Sequence, residues 1–163
     1  MLNVYNLSSC LVKLQTPMDT SDRPAWLGLL ATAPPDRLLA LAEAAGATAP
    51  HGVLRGPEIG TVMLRGRAGG TGAPFNLGEI TVTRASIRLT EGPVGHGHVQ
   101  GRSHRAALAA AVIDALMQTP RAESLRRQVL EPLAADRTAR RESRAARAAA
   151  TRVDFFTLVR GED

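Results

Sequence analysis

The side chains with the most chemical potential in this sequence are arginines set at strand and helix spacings, a histidine pair and a glycine-rich stretch. Arg84 and Arg88 stand four apart within Ile80 to Leu89, a run rich in β-branched residues, and Arg102 follows the next such run. Alternate residues of a strand share a face, so Arg84 and Arg88 point the same way. Brought together with Arg102, they could clamp phosphate or carboxylate oxygens in bidentate fashion. The competing reading is a solvated sheet face, or structural ion pairs with Glu79 and Glu91. Arg137, Arg140, Arg141, Arg144 and Arg147 recur at spacings of three and four among alanines, which makes a basic stripe along one helix. Phosphate, a nucleotide or an acidic partner could lie along that stripe. Glu131, Asp136 and Glu142 partly offset its charge, so a solvated helix face is the plainer reading.

His96 and His98 flank Gly97 on a predicted strand and would share a face, where two imidazoles could reach one metal. Two histidines are half a site. Glu91 is the one nearby carboxylate and His104 lies beyond a loop, so exposed histidines and no metal are expected. Gly66 to Gly72 could let backbone N–H groups approach an anion. No Gly-Lys-Ser/Thr follows, and the stretch leads to a strand rather than a helix, so it is not a Walker loop.

Cys10 is the one cysteine, which excludes an internal disulfide and a Cys-based zinc cluster and fits a reducing compartment. No run approaches the roughly 18 apolar residues of a membrane span. Leu7-Ser8-Ser9-Cys10 has the look of a lipoprotein cleavage box but lacks a basic start and an apolar signal core, so a cytoplasmic protein is expected. The formal charge of +5 points toward acidic partners. All but one of the twenty basic residues are Arg, the exception being Lys13, and alanine abounds, a pattern that GC-rich codon usage also produces. With 163 residues, 44% hydrophobic but only 3% aromatic, the chain can bury one core, thin because alanine contributes little area.

Positioning these side chains requires a single α+β domain, residues 18–163. Residues 1–17 hold the only Lys, Tyr and Cys and are expected to be a disordered extension or a start upstream of Met18. Asp22 suits a helix N-cap before Trp26, Leu27, Leu29 and Leu30, and Ala33-Pro34 stops that helix. Pro35 opens a second helix with Leu38, Leu39, Leu41 and Ala42 on its apolar side, ended by Gly46. Thr61 to Leu64, Ile80 to Leu89 and Pro93 to Gln100 predict a small antiparallel sheet of three or four strands, with a hairpin turn at Glu91-Gly92 and a looser connection through Gly69 to Pro74. Ser103 caps a helix from Arg105 to Gln118, with Leu108, Val112, Ala115 and Leu116 turned to the sheet. Helical sequence then runs from Ala122 to about Ala150 with an interruption near Pro132.

The last dozen residues concentrate Val153, Phe155, Phe156, Leu158 and Val159, two of the three Phe among them. An extended apolar tail of this kind either folds back on its own core or lies in a groove on a neighbour, with Asp154, Phe155, Phe156, Leu158 and Arg160 as subunit-interface residues.

Taken together, Gly69-Gly70-Thr71-Gly72, Thr83-Arg84, Arg88-Leu89-Thr90, Val99-Gln100-Gly101-Arg102, Ile113 to Gln118, Pro132-Leu133, Ala135-Asp136-Arg137 and Arg152 to Thr157 with Val159-Arg160-Gly161 resemble PhnG, a family of subunits of the bacterial carbon–phosphorus lyase core complex. The resemblance runs from Asp22 to the C-terminus. It implies a role in phosphonate breakdown beside PhnH-, PhnI- and PhnJ-like subunits, the PhnI-like subunit being the direct contact. That assembly uses ATP and an alkylphosphonate to form ribose 1-alkylphosphonate 5-triphosphate with release of adenine, and a radical subunit later cleaves the carbon–phosphorus bond. The resemblance assigns this chain no catalytic residue, no metal and no cofactor of its own. It leaves Arg84, Arg88, Gln100 and Arg102 as contacts to an anion or a partner. Two departures stand out: His96 and His98 replace aromatic residues, and Ala106 stands where a histidine is expected, with His104 two positions earlier. A free-standing Arg-rich module that binds nucleotides or RNA through the Arg137 to Arg147 stripe is the alternative from another class.

Overall fold

The computed structural model of the chain describes residues 22–67, 71–90 and 92–151. Two short helices come first. In α1, Arg23–Thr32, Asp22 is the N-cap residue, but its backbone carbonyl rather than its side chain receives the first N–H groups, those of Ala25 and Trp26. Helix α2, Pro35–Ala44, starts on proline, whose missing N–H is no loss in a first turn, and is followed by Gly46 at φ +54°. Arg121 donates to the carbonyls of Gly46 and Thr48 at 2.8 and 3.0 Å, tying the chain after α2 to a later segment.

Three antiparallel strands follow in the order β1-β2-β3: β1 His51–Arg67, β2 Pro74–Leu89 and β3 Val94–Gln100. The α+β class and the three-stranded sheet agree with the sequence. β1 is much longer than Thr61 to Leu64, because Gly56-Pro57 does not break it. The pairing register shifts between Arg55 and Glu58, and an edge strand tolerates proline at such an irregularity. Gly66 and Arg67 likewise belong to β1, so the glycine-rich connection is shorter than its composition suggests.

Helix α3, His104–Leu116, lies across the sheet, and Ser103 Oγ accepts the Ala106 N–H at 3.3 Å, as a cap should. Nearly every residue from Ala106 to Leu116 is buried, whereas Leu108, expected on the apolar face, is only partly so. The residues turned to β3 are alanines: a Cβ on Gly95 would collide with the carbonyl oxygen of Ala111, and one on Gly97 with that of Ala107. Small residues on both sides thus let helix backbone rest directly on strand backbone.

The remaining helical sequence is continuous. Helix α4, Ala122–Leu125, passes through a π-helical turn, Arg126–Leu130, into α5, Glu131–Ala150. Pro132 in the first turn of α5 donates no N–H and would crowd the carbonyl four residues back; the wider π turn before it accommodates both effects without ending the helix. Leu29, Leu30, Leu38, Ile87, Ile113, Leu125, Leu130 and Leu133 are the large fully buried side chains, with alanines filling the rest of the core.

Candidate functional site

One buried carboxylate fixes how the sheet is presented. Asp114 on α3 is completely buried and accepts four hydrogen bonds. Its Oδ1 takes Arg23 Nε at 3.2 Å and Trp26 Nε1 at 2.9 Å; its Oδ2 takes Arg23 Nη2 and the His96 backbone N–H, both at 2.8 Å. Helix α1, helix α3 and strand β3 therefore meet on one side chain. The ion pair raises the Arg23 pKa above its ordinary value, the hydrogen bond to Asp114 outweighing the opposing effect of desolvation. A second node orders the turn after β3. Buried Thr83 donates to the Gly101 carbonyl at 2.7 Å and accepts from the Ser103 N–H at 3.1 Å, while Gly101 takes φ +89°. Neither Asp114 nor Thr83 stood out in the sequence as a positioning residue. An acid inside an otherwise apolar helical run, Val112-Ile113-Asp114-Ala115-Leu116, is the signal that could have revealed the first.

These nodes turn Arg84, Ser86 and Arg88 of β2 and His96, His98 and Gln100 of β3 to the face away from α3, where most are exposed. Arg84 is opposite His98 and Arg88 is opposite Val94, whereas Arg102 lies past the end of β3. Four strand residues advance about 13 Å, so no single small anion spans from Arg88 to Arg102, and the register does not close a three-arginine clamp. The ion pair of Arg84 is with Glu58 on β1, Nε to Oε2 at 3.4 Å, and Glu58 also meets Arg55 at 3.2 Å. That partner replaces the Glu79 and Glu91 suggested by sequence proximity; Glu91 lies outside the described residues, and Glu79 is opposite Met63.

The two histidines do share this face. Among the described residues, no group of three or more His, Cys, Asp and Glu is placed to hold a metal ion. His98 is held below its ordinary pKa of 6.5, first by burial and then by the positive charges of Arg84, His96 and Arg55. His96 Nδ1 lies 2.9 Å from Ser86 Oγ, its direct cross-strand partner. On an open strand face, with no carboxylate bonded to the imidazole among the described residues, this is a cross-strand hydrogen bond rather than an activated nucleophile. Ala106, where the resemblance implies a histidine, is fully buried, and His104 at the start of α3 is exposed.

Gln100 separates from the other strand residues. It lines an open cleft of about 720 Å³ with Arg137, Arg140, Arg141, Arg144 and Arg147 of α5 and Thr32 of α1. The helical stripe and one of the strand residues singled out in the sequence thus border the same space.

The last surface of note is the β1–β2 hairpin. β3 pairs with β2 only over residues 82–88, so the sheet beyond Val82 is a two-stranded ribbon. Val62 and Leu64 point to one of its faces and Ile59 and Met63 to the other, and all four are 43–53% exposed. Phe75 and Leu77 on the returning strand are also exposed, so apolar side chains occupy both faces. The C-terminal residues Asp154, Phe155, Phe156, Leu158 and Arg160 lie outside the described residues. No helix among the described residues is long and apolar enough to cross a membrane.

Comparison with known proteins agrees with the resemblance noted in the sequence. A relative from Rhizobium meliloti (strain 1021), named as alpha-D-ribose 1-methylphosphonate 5-triphosphate synthase subunit PhnG, is 51% identical over 110 residues, which cover 68% of this chain and 70% of the relative. The family described as "Phosphonate metabolism protein PhnG" matches residues 21–161, and the chain belongs to that family.

Proposed function

We propose that this chain is an accessory, non-catalytic subunit of a cytoplasmic bacterial synthase that joins an alkylphosphonate to the ribose of ATP. The reaction releases adenine and leaves ribose 1-alkylphosphonate 5-triphosphate, a transferase step preceding carbon–phosphorus bond cleavage by a lyase subunit. The reading draws on family membership and on the synthase-subunit name of the Rhizobium relative. PhnH-, PhnI- and PhnJ-like proteins are its partners, the PhnI-like subunit being the direct contact. The chain carries no resident cofactor, and ATP is a substrate of the assembly.

The observation that carries a subunit role is the apolar ribbon. An isolated two-stranded ribbon is marginal in water, and apolar side chains on both faces are a feature of strands covered on both sides. Exposed apolar side chains gathered on one ribbon mark a surface that a partner covers.

Reconstitution tests the proposal. Adenine release from ATP and methylphosphonate by the PhnI-like subunit should rise at least about tenfold on adding this chain, whereas the chain alone should release none. Release by the chain alone would overturn the non-catalytic assignment, and no effect of adding it would remove the accessory role.

A further inference from the structure

We infer that the cleft between α5 and the end of β3 is a binding site for a polyphosphate chain, held by Arg137, Arg140, Arg141, Arg144 and Arg147 with Gln100 at its wall. Helical geometry first shows why the five guanidiniums converge. At about 100° per residue these positions fall within an arc of about 120°, and the stripe is about 15 Å long. Each of 137–140, 137–141, 140–144, 141–144 and 144–147 is a like-charge neighbour pair, an arrangement that destabilises a helix. Carboxylates do not relieve it. Asp136 lies beside the stripe and is already paired with Arg37 at 2.8 Å, Glu142 projects from a different side of α5, and no acidic residue among the described ones lines the cleft. Among the described residues the stripe side chains make one hydrogen bond, an internal one from Arg144 Nε to the Arg140 carbonyl at 3.3 Å. Arg144 Nη1 and Nη2 remain available.

Three properties narrow the ligand. The volume, about 720 Å³, is that of a small-molecule site, and the space is concave where a solvated helix face is convex. The lining is guanidinium with Gln100, Thr32 and Ser143, a donor-rich set whose planar forks match phosphoryl oxygens. Among the described residues the lining holds no aromatic side chain to stack a nucleobase, the contact that single-stranded nucleic acid binding relies on. Several linked phosphoryl groups match the charge and length of the stripe better than one orthophosphate. The site therefore takes the phosphate end of a nucleoside triphosphate or a free polyphosphate without reading a base. The inference does not depend on which subunits the chain joins.

The test is calorimetric titration of the full chain at low salt with inorganic tripolyphosphate, ATP and orthophosphate. Tripolyphosphate and ATP should bind within about threefold of one another, and orthophosphate at least about tenfold more weakly. Arg140→Gln with Arg144→Gln should weaken tripolyphosphate binding by at least about tenfold, and 0.5 M salt should weaken it similarly. A Glu123→Gln control should bind as the parent does. Absence of tripolyphosphate binding, or binding unchanged in the double variant, would overturn the assignment. Tighter binding of single-stranded RNA than of either triphosphate would overturn it in favour of a nucleic-acid surface. Co-purification with the synthase subunits separates the two proposals. The double variant should still assemble; if assembly is lost and the parent binds no tripolyphosphate, the stripe is a protein interface instead.

Discussion

The Arg23 guanidinium meets the carboxylate of Asp114 side-on, Nε to Oδ1 at 3.2 Å and Nη2 to Oδ2 at 2.8 Å, across 91 residues of sequence. Asp114 is completely buried while the Arg23 side chain is 39% exposed, so charge enters the core only where one end of the pair keeps contact with water. Replacing Asp114 by Ala leaves Trp26 Nε1 and the His96 N–H without their acceptor as well as a charge without its partner. Asp114→Ala should therefore lower unfolding free energy by about 3 kcal/mol, near the low end for breaking a buried pair because of that exposure. Asp114→Asn keeps the volume and should cost less. Urea unfolding followed by circular dichroism checks both, and an unchanged midpoint for Asp114→Ala would refute the role given to this carboxylate.

Gly97 rests on the backbone of Ala107, and a methyl group there has nowhere to go but into α3. Gly97→Ala should push the helix off the strand and cost about 2–3 kcal/mol in thermal or denaturant unfolding. Gly52→Ala serves as the control, since a Cβ at Gly52 meets nothing within 4 Å. Equal effects of the two substitutions would show that close helix–strand contact is not what Gly97 provides.

The same contact explains what sequence could and could not reveal. Helix starts at Pro35 and Ser103 and the β-branched run from Ile80 were legible because proline, serine and Val/Ile/Thr carry local signals. The face that α3 presents to β3 was legible only in part, because apolar periodicity pointed to Ala115 but also to Leu108, while Ala107 and Ala111 complete the fit against glycines. Alanine gives a weak hydrophobic signal but permits the closest approach. β1 was legible only over Thr61 to Leu64, since Gly56-Pro57 upstream means a break locally and only a bulge once β2 supplies a partner. At the candidate site, the shared face of Arg84 and Arg88 follows from strand periodicity alone. The partnership of Arg84 with Glu58 and the meeting of Gln100 with α5 depend on register and on long-range packing, which spacing does not encode.

His98 supplies a dependence on pH. Its folded-state pKa is depressed, mainly by burial, below the ordinary 6.5, so the unfolded chain binds the proton more readily than the folded one. The contribution of His98 to stability is complete above about pH 6.5 and is lost as pH falls from there through the folded value. The thermal midpoint of the parent should thus fall more steeply between pH 7 and pH 5 than that of His98→Gln. The difference should be small because the imidazole is partly solvated. Parallel profiles would contradict the depressed pKa.

The central claim, that the apolar ribbon is a subunit contact, is tested most directly by co-expressing a tagged PhnI-like subunit with this chain and measuring the mass and composition of the complex by size-exclusion chromatography with light scattering. Two carboxylates set into a buried apolar contact should weaken it by well over a hundredfold, since each uncompensated charge costs several kcal/mol on burial. The account predicts a stable complex with the parent chain and none with Val62→Asp combined with Leu64→Asp, while circular dichroism shows the variant chain still folded. A complex of unchanged mass and stability with that variant would contradict it.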